Sequence, residues 1–154
     1  MLLQLRIDLA KPQPQSEVIM DDILVQIELL NNEIILIEAG KKGLEILSST
    51  FEEVLKGITG GFHARIGAER EEVQELLLLI KIALETFDSQ AAQNSIMKIQ
   101  ISVEQLRILT QFLNEACHGI RILDFENKIG TSEDKLKSFL DLSINLYESI
   151  EKSR

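Results

Sequence analysis

The stretches that decide the fold are residues 44–58, LEILSSTFEEVLKGI, and residues 106–120, LRILTQFLNEACHGI. Both stretches have the same apolar spacing and end in the same Gly-Ile pair. A Phe and an Ile-Gly pair then follow in both places, Phe62 with Ile66-Gly67 and, after a shift of one residue, Phe125 with Ile129-Gly130. Two leucine-rich helices share a few residues by chance, but chance does not also give both a Gly-Ile pair, a Phe and an Ile-Gly pair in the same order. The pattern therefore indicates an internal duplication.

Each copy is predicted to contain a strand, a helix, a loop and a second helix. Apolar and polar residues alternate over 97–101, which is typical of a half-buried strand, and the apolar residues of 35–39 occupy the matching positions. Apolar residues at spacings of three and four then predict a helix in each copy. Gly57 and Gly119 are predicted to end these two helices in the left-handed conformation of a Schellman cap.

Further strands are predicted before the first copy. Residues 1–9 alternate in the same way, and residues 23–30 form a hairpin with residues 33–39. If both hairpin strands direct their apolar residues to one inner face, parity requires a three-residue loop at Asn31-Asn32-Glu33. We expect an antiparallel sheet in the order 23–30, 33–39, 96–102, 1–9.

The expected architecture is one α+β domain over residues 1–154. It has two layers, a small antiparallel sheet of about four strands covered by four helices. The N-terminal strands occupy residues 1–30, the first repeat unit 33–88 and the second 95–151. Because a unit of about 60 residues has little core of its own, each unit is expected to bury its apolar face against the other around a pseudo-twofold axis.

Composition narrows the class of function. The hydrophobic content of 45% suffices for an ordinary core, and the net charge of -9 argues against binding nucleic acid. The longest aliphatic run, residues 76–80, is too short for a membrane span, and the charged start is a poor signal peptide. One cysteine fits a reducing compartment. We expect a cytoplasmic protein that is a monomer or a homodimer.

Catalytic and metal chemistry have little support in the sequence. Cys117-His118 is the one suggestive pair, but neighbours on a helix point about 100° apart, and Cys117 aligns with the core position Leu55. His63 and His118 are the only histidines, and no Cys pair or calcium loop is present. We expect no catalytic residues, no metal and no cofactor. A Cys117-dependent enzyme is therefore less favoured than the two hypotheses described below, a protein-binding protein and a small-ligand-binding module.

Two matched pairs of charged residues suggest structural ties. An acid recurs at Glu53 and Glu115, and a base recurs in the following loops at Arg65 and Lys128. We expect each acid to pair with the base of its own unit, Glu53 with Arg65 and Glu115 with Lys128. A symmetric pair of acidic contacts is the functional alternative.

The leading functional hypothesis is a non-enzymatic, acidic protein-binding protein of immunity or inhibitor type. Between Pro12 and Gly40 there is no Lys or Arg, while six residues are acidic. On strands, these acids make a negative surface that steers a basic partner, although a merely solvated face remains the alternative. The residues expected on the outer face of this hairpin are Glu28, Leu30, Leu36 and Glu38. In the second helix of the first copy, Leu78 and Leu79 add apolar width beyond the core stripe.

The alternative is a small-ligand-binding module with a pocket between the two repeat units. The loops at 59–63 and 121–125 differ between the copies, and a single activity has to reside where copies differ. The candidate ligand contacts are Gly60, Gly61, His63, Arg121 and Asp124.

One stretch also resembles a known motif. Residues 113–120, LNEACHGI, followed by Phe125-Glu126 and Ile129-Gly130, resemble a motif of small uncharacterised bacterial proteins. The resemblance covers about residues 96–150, and in the first copy Val54-Leu55-Lys56 replaces Ala-Cys-His. It implies the repeat unit and a bacterial setting, but it supplies no catalytic residues.

Overall fold

The computed structural model of the chain describes residues 5–8, 25–31, 33–90 and 96–153. Within these ranges the protein is α+β, as predicted. The strands are β1 Leu5–Asp8, β2 Val25–Leu29, β3 Ile34–Ala39 and β4 Ile96–Ser102; the helices are α1 Lys41–Gly57, α2 Phe62–Ile66, α3 Arg70–Gln90, α4 Val103–Asn114, α5 Phe125–Ile129 and α6 Glu133–Lys152. A π-turn, Glu115–Gly119, continues α4. Of the predicted N-terminal strands, residues 1–4 and 9–24 lie outside the described residues.

The strands form an antiparallel sheet in the order β1-β4-β3-β2. Ile37 on β3 lies between Ile27 on β2 and Ile99 on β4. Val25, Ile27 and Leu29 therefore stand opposite Ala39, Ile37 and Ile35, which is the pairing that parity requires.

The hairpin loop between β2 and β3 has the predicted length. The Leu30 N–H donates to the Ile34 carbonyl over 2.9 Å, which leaves three positions, 31–33, in the loop. The Asn31 side chain accepts hydrogen bonds from the backbone N–H groups of Glu33 and Ile34, at 2.9 and 3.0 Å. This bonding is typical of asparagine in turns, because its side chain can satisfy the backbone two or three residues further on.

The inner face of the sheet packs against the helices in one core. Ile35, Ile37 and Ala39 are buried there with Ile99 and the apolar stripes of the long helices. At the centre of this core the rings of Phe51 in α1 and Phe112 in α4 are 4.4 Å apart, and both side chains are completely buried. The two halves of the chain thus share one core.

The same order of elements occurs in both halves. The first half runs β3, α1, α2, α3, and the second runs β4, α4 with its π-turn, α5, α6. The short helices α2 and α5 occupy positions where the sequence analysis expected only loops. Each ends at a glycine in left-handed conformation, Gly67 with φ 74° and Gly130 with φ 102°. The two Ile-Gly pairs therefore lie at the C-terminal ends of the short helices.

The predicted Schellman caps at Gly57 and Gly119 are wrong. Gly57 and Gly119 are the last residues of α1 and of the π-turn, as predicted, but neither has the positive φ of a left-handed cap. Both positions need a glycine for another reason, because a side chain of the second half lies close to each Cα. A Cβ on Gly57 would lie 2.7 Å from Cδ1 of Ile120, and a Cβ on Gly119 would lie 2.2 Å from Oε1 of Glu115.

The two halves cross over each other at the short helices. Helix α2 packs against α4 of the other half, and α5 packs against α1. The Arg107 side chain of α4 donates hydrogen bonds to the carbonyls of Ile66 and Gly67, at 3.2 and 2.6 Å. Lys42 of α1 lies beside Gly130 in the opposite crossing. A cation at the C-terminal end of a helix also complements the carbonyl groups left without partners there.

Candidate functional site

The junction between the halves is organised around a buried acid. Glu115 is 8% exposed, and its carboxylate forms an ion pair with the Arg65 guanidinium of α2. The backbone at Glu115 forms a π-turn instead of an α-helical turn. The Ile120 N–H donates to the Glu115 carbonyl, five residues back, at 2.8 Å. At the matching place in the first half, the Ile58 N–H donates to Val54 four residues back. The π-turn thus distinguishes the two halves at their junction.

The predicted ties within each unit are wrong. Glu115 pairs with Arg65, so the tie crosses from one half to the other. Glu53 instead pairs with Lys56 in its own helix, at 3.3 Å. Lys128, the base expected to hold Glu115, is exposed on α5. The crossing of α2 over α4 explains the exchange, because it brings the base of one half to the acid of the other.

Cys117 and His118 lie in different environments, one buried and the other exposed. Cys117 is 9% exposed, and burial raises the pKa of its thiol to about 11. Glu133 and Asp141 act in the same direction, while Lys137 opposes them. A protonated thiol is a poor nucleophile, and His118 is exposed on the outside of the π-turn. This environment counts against the Cys117-dependent enzyme.

In the native protein, Cys117 is expected to react with iodoacetamide at pH 8 at least about 100-fold more slowly than in the unfolded chain. The reason is that a thiol with a pKa near 11 is only about 0.1% ionised at pH 8. Mass spectrometry of timed samples measures both rates, with the protein in concentrated guanidinium chloride as the control. Equal rates would contradict the buried, protonated thiol and would return the cysteine enzyme to consideration.

The unlike loops contribute exposed side chains with local partners. Gly60 and Gly61 are exposed, and Gly61 has a φ of 68°. Nδ1 of His63 lies 2.9 Å from the Glu69 carboxylate. In the second half, Arg121 is exposed, and Asp124 has a φ of 55° and accepts a hydrogen bond from the Asn127 amide. These two loops flank the contact between Gly57 and Ile120.

Neither of two surface cavities is lined by these loops. A cavity of about 300 Å³ lies between α4 and α6 in the second half. Its lining residues are Arg107, Thr110, Gln111, Asn114, Ile144 and Tyr147. Arg107 also bonds to Glu104, and this hydrogen bond raises the pKa of the guanidinium above its ordinary value. The Thr110 hydroxyl lies 2.5 Å from that of Ser143. The second cavity, of about 400 Å³, lies along the outside of α3.

Only part of the surface predicted for the hairpin is exposed in the structure. Glu28 is exposed, Leu30 is 50% exposed, and Glu38 is half-buried opposite Lys98 in the register. Leu36 was expected on an exposed outer face, but it is only 9% exposed. Position in the pleat fixes which face a residue occupies, and it does not determine what covers that face.

Further exposed apolar side chains lie on β2 and on α3. Leu29, at the end of β2, is 40% exposed beside Leu30. On α3, Leu78 is 57% exposed and Ile82 is 38% exposed, whereas Leu79 is buried. The sequence pattern indicates the apolar width of this helix but does not by itself separate the outer residues from the core residues. The helical positions of Leu78 and Ile82 relative to the core residues Val73 and Leu77 could have shown that they lie on the outer side.

In the described part of the chain, no group of three or more His, Cys, Asp or Glu residues is arranged to hold a metal ion. The helices described here include none with the length and apolar character needed to cross a membrane. No protein-family model, curated protein or solved structure matches the chain.

Proposed function

We propose that this chain is a non-enzymatic protein-binding protein, of immunity or inhibitor type, that contacts a basic partner through its hairpin. The contact surface, here called the hairpin surface, consists of Glu28, Leu29, Leu30 and Glu33. The observation that carries the proposal is the exposure of two adjacent leucines, 40% and 50%, between two exposed acids. Leu29 is in register with the buried Ile35, so part of its side chain faces the core, whereas Leu30 follows the end of the strand and is half-exposed. An apolar centre with a charged rim is typical of protein interfaces.

Charge supports a basic partner. The net charge of -9 and the lack of any Lys or Arg between Pro12 and Gly40 give the hairpin a negative environment. Such a field raises the association rate with a positive surface and loses strength as salt is added. An inhibitor or immunity protein acts by occupying its partner, which fits a chain whose one cysteine is buried.

A specific observation also favours the second candidate, a small-ligand-binding module. The cavity of about 300 Å³ is large enough for a small ligand, and the Arg107 side chain in its lining reaches across to the first half. This cavity lies within the second half, between α4 and α6, rather than between the unlike loops. A ligand whose thermal stabilisation of the protein disappears in Gln111→Ala, but persists in Leu30→Asp, would favour this candidate.

We further propose that the whole fold is a pseudo-twofold duplication, with a four-stranded sheet under four long helices. Support comes from the matching order of elements and from the start positions of α1 and α4, residues 41 and 103. The reciprocal crossing of α2 on α4 and α5 on α1 agrees with a twofold axis. On this view the present chain is a homodimer that became one polypeptide.

A photo-crosslinking amino acid at position 30 tests the hairpin surface in the native host. The matched control carries the same amino acid at position 123, because Leu123 is 63% exposed but lies far along the chain from the hairpin. We expect a crosslinked partner from position 30 only, lost when Glu28 and Glu33 are both changed to Lys. Equal yields from both positions, or no product from either, would contradict the proposal.

A further inference from the structure

The outer face of α3 carries apolar residues where solvent would favour polar ones. Leu78 and Ile82 are one helical turn apart and are 57% and 38% exposed. The exposed acids Glu71, Glu75 and Glu85 lie at helical spacing along the same side. Together these five residues form a stripe, here called the α3 stripe, with an apolar middle and acidic ends.

The matching helix of the second half shows that the fold does not require this apolar middle. Leu78 is the ninth residue of α3, and the ninth residue of α6 is Asp141. Ile82 is the thirteenth residue of α3, and its counterpart in α6 is Asn145. Both counterparts are exposed. Since the two helices have the same place in their halves, polar residues are compatible with these positions, and the exposed parts of Leu78 and Ile82 are available for binding.

The two cations of α3 contact neighbouring elements and offset only part of the negative charge of the stripe. The Arg70 guanidinium lies over the Phe62 ring, 4.3 Å from its centre. Nζ of Lys81 lies 2.8 Å from the Glu52 carboxylate of α1. Pairing with Glu52 offsets the charge of Lys81, whereas the Phe62 ring leaves the positive charge of Arg70 in place. The three exposed acids of the stripe outnumber this one cation. The stripe is therefore negative as well as apolar.

The surface beside the stripe contains a shallow, wide-open hollow. The cavity of about 400 Å³ on the outside of α3 is lined by Arg70, Glu71, Gln74, Glu75 and Leu78. Leu78 thus contributes to the wall of a hollow that also presents two carboxylates. An apolar side chain with nearby cations fits such a hollow better than a flat neutral surface would.

We propose that the α3 stripe is a docking surface for a basic amphipathic helix of the partner protein. The inference rests on the proposed function and adds a second contact to the hairpin surface. The stripe from Glu71 to Glu85 is about 21 Å long at 1.5 Å per residue, so a partner helix of about 15 residues covers it. Apolar residues of that helix pack on Leu78 and Ile82, and its Lys or Arg residues meet the three acids.

Charge argues against a second copy of this chain as the occupant. Two α3 stripes facing each other would bring six carboxylates together, and like charges in contact are destabilising. The hairpin surface is also separate from the α3 stripe, because α3 contacts β4 whereas the hairpin strand β2 contacts α6. A variant in one surface therefore leaves the other intact.

A labelled peptide tests the docking surface directly. The probe is an 18-residue helical peptide of lysine and leucine with all leucines on one face, and a scrambled peptide of the same composition is its control. Fluorescence anisotropy measures binding to wild type, to the double variant L78D/I82N, and to L30D. The double variant is matched to α6, which carries Asp141 and Asn145 at these positions, so circular dichroism should show it folded.

We expect the double variant to bind the amphipathic peptide at least about tenfold more weakly than wild type, and L30D to bind it within about twofold. The scrambled peptide should also bind wild type at least about tenfold more weakly. Equal binding by wild type and the double variant overturns the docking surface. Loss in L30D alone also overturns the docking surface but leaves the proposed function standing. No binding to wild type at all overturns the docking surface as well, and the crosslinking experiment at position 30 then decides the proposed function by itself. A wild-type dimer that dissociates in the double variant would instead identify a second copy as the occupant.

Discussion

Phe112→Ala is expected to lower the free energy of unfolding by about 3–5 kcal/mol, the largest loss from any single substitution considered for this protein. Phe112 is fully buried, and its ring contacts Phe51 of the other half at 4.4 Å between ring centres. The Phe62 ring adds an edge-to-face contact at 6.4 Å. Truncation therefore removes packing from both halves and leaves a cavity at the centre of the shared core.

Urea denaturation followed by far-UV circular dichroism measures this loss, since the chain has no tryptophan to report by fluorescence. Phe125→Ala is the control, because Phe125 is half-buried at the edge of the core, and we expect it to cost less than half as much. Phe112→Leu should recover part of the stability by filling part of the cavity. A Phe112→Ala protein as stable as Phe125→Ala would contradict the central position assigned to this ring.

Arg65→Ala is expected to cost about 2–4 kcal/mol, because it leaves the Glu115 carboxylate buried without its charged partner. The side chain of Glu115 is 10% exposed, while that of Arg65 is 35% exposed, so the unpaired charge would be the less hydrated one. The carboxylate also lies close to Gly119, where a Cβ would not fit.

The repeat supplies matched controls for this tie. Lys128→Ala changes the position that corresponds to Arg65 but removes only an exposed charge, and we expect a loss below about 0.5 kcal/mol. Glu53→Ala changes the position that corresponds to Glu115 and breaks an exposed pair with Lys56, at a cost of at most about 1 kcal/mol. A double-mutant cycle of Arg65→Ala and Glu115→Ala should show coupling, and additive losses would argue against a direct interaction.

Much of the fold could be predicted because it depends on local periodicity. Alternation identified β3 and β4, and the parity argument gave the loop at 31–33, since a shift of one residue would have turned every side chain to the other face. The spacing of apolar residues likewise identified the long helices. These features follow from residues that are neighbours in sequence, so a single chain displays them.

What could not be predicted depends on contacts between distant segments. The repeat shows that Glu115 and Arg65 have counterparts, but it does not show that the halves exchange their short helices, and so the acids were paired with the wrong bases. Gly57 was interpreted by its backbone freedom, whereas its role is the close approach of Ile120. The burial of Leu36 likewise depends on what covers the face of the sheet on which it lies.

The crossing of the halves also has a consequence in time, during synthesis of the chain. Glu115 follows Arg65 by 50 residues, and Arg107 follows Gly67 by 40. At a translation rate of about 5–20 residues per second, α2 therefore leaves the ribosome about 2–10 seconds before the helix that receives it. Throughout that delay the apolar side of the first half has no partner from its own chain. The nascent protein must therefore avoid aggregation and proteolysis for seconds before its core can close.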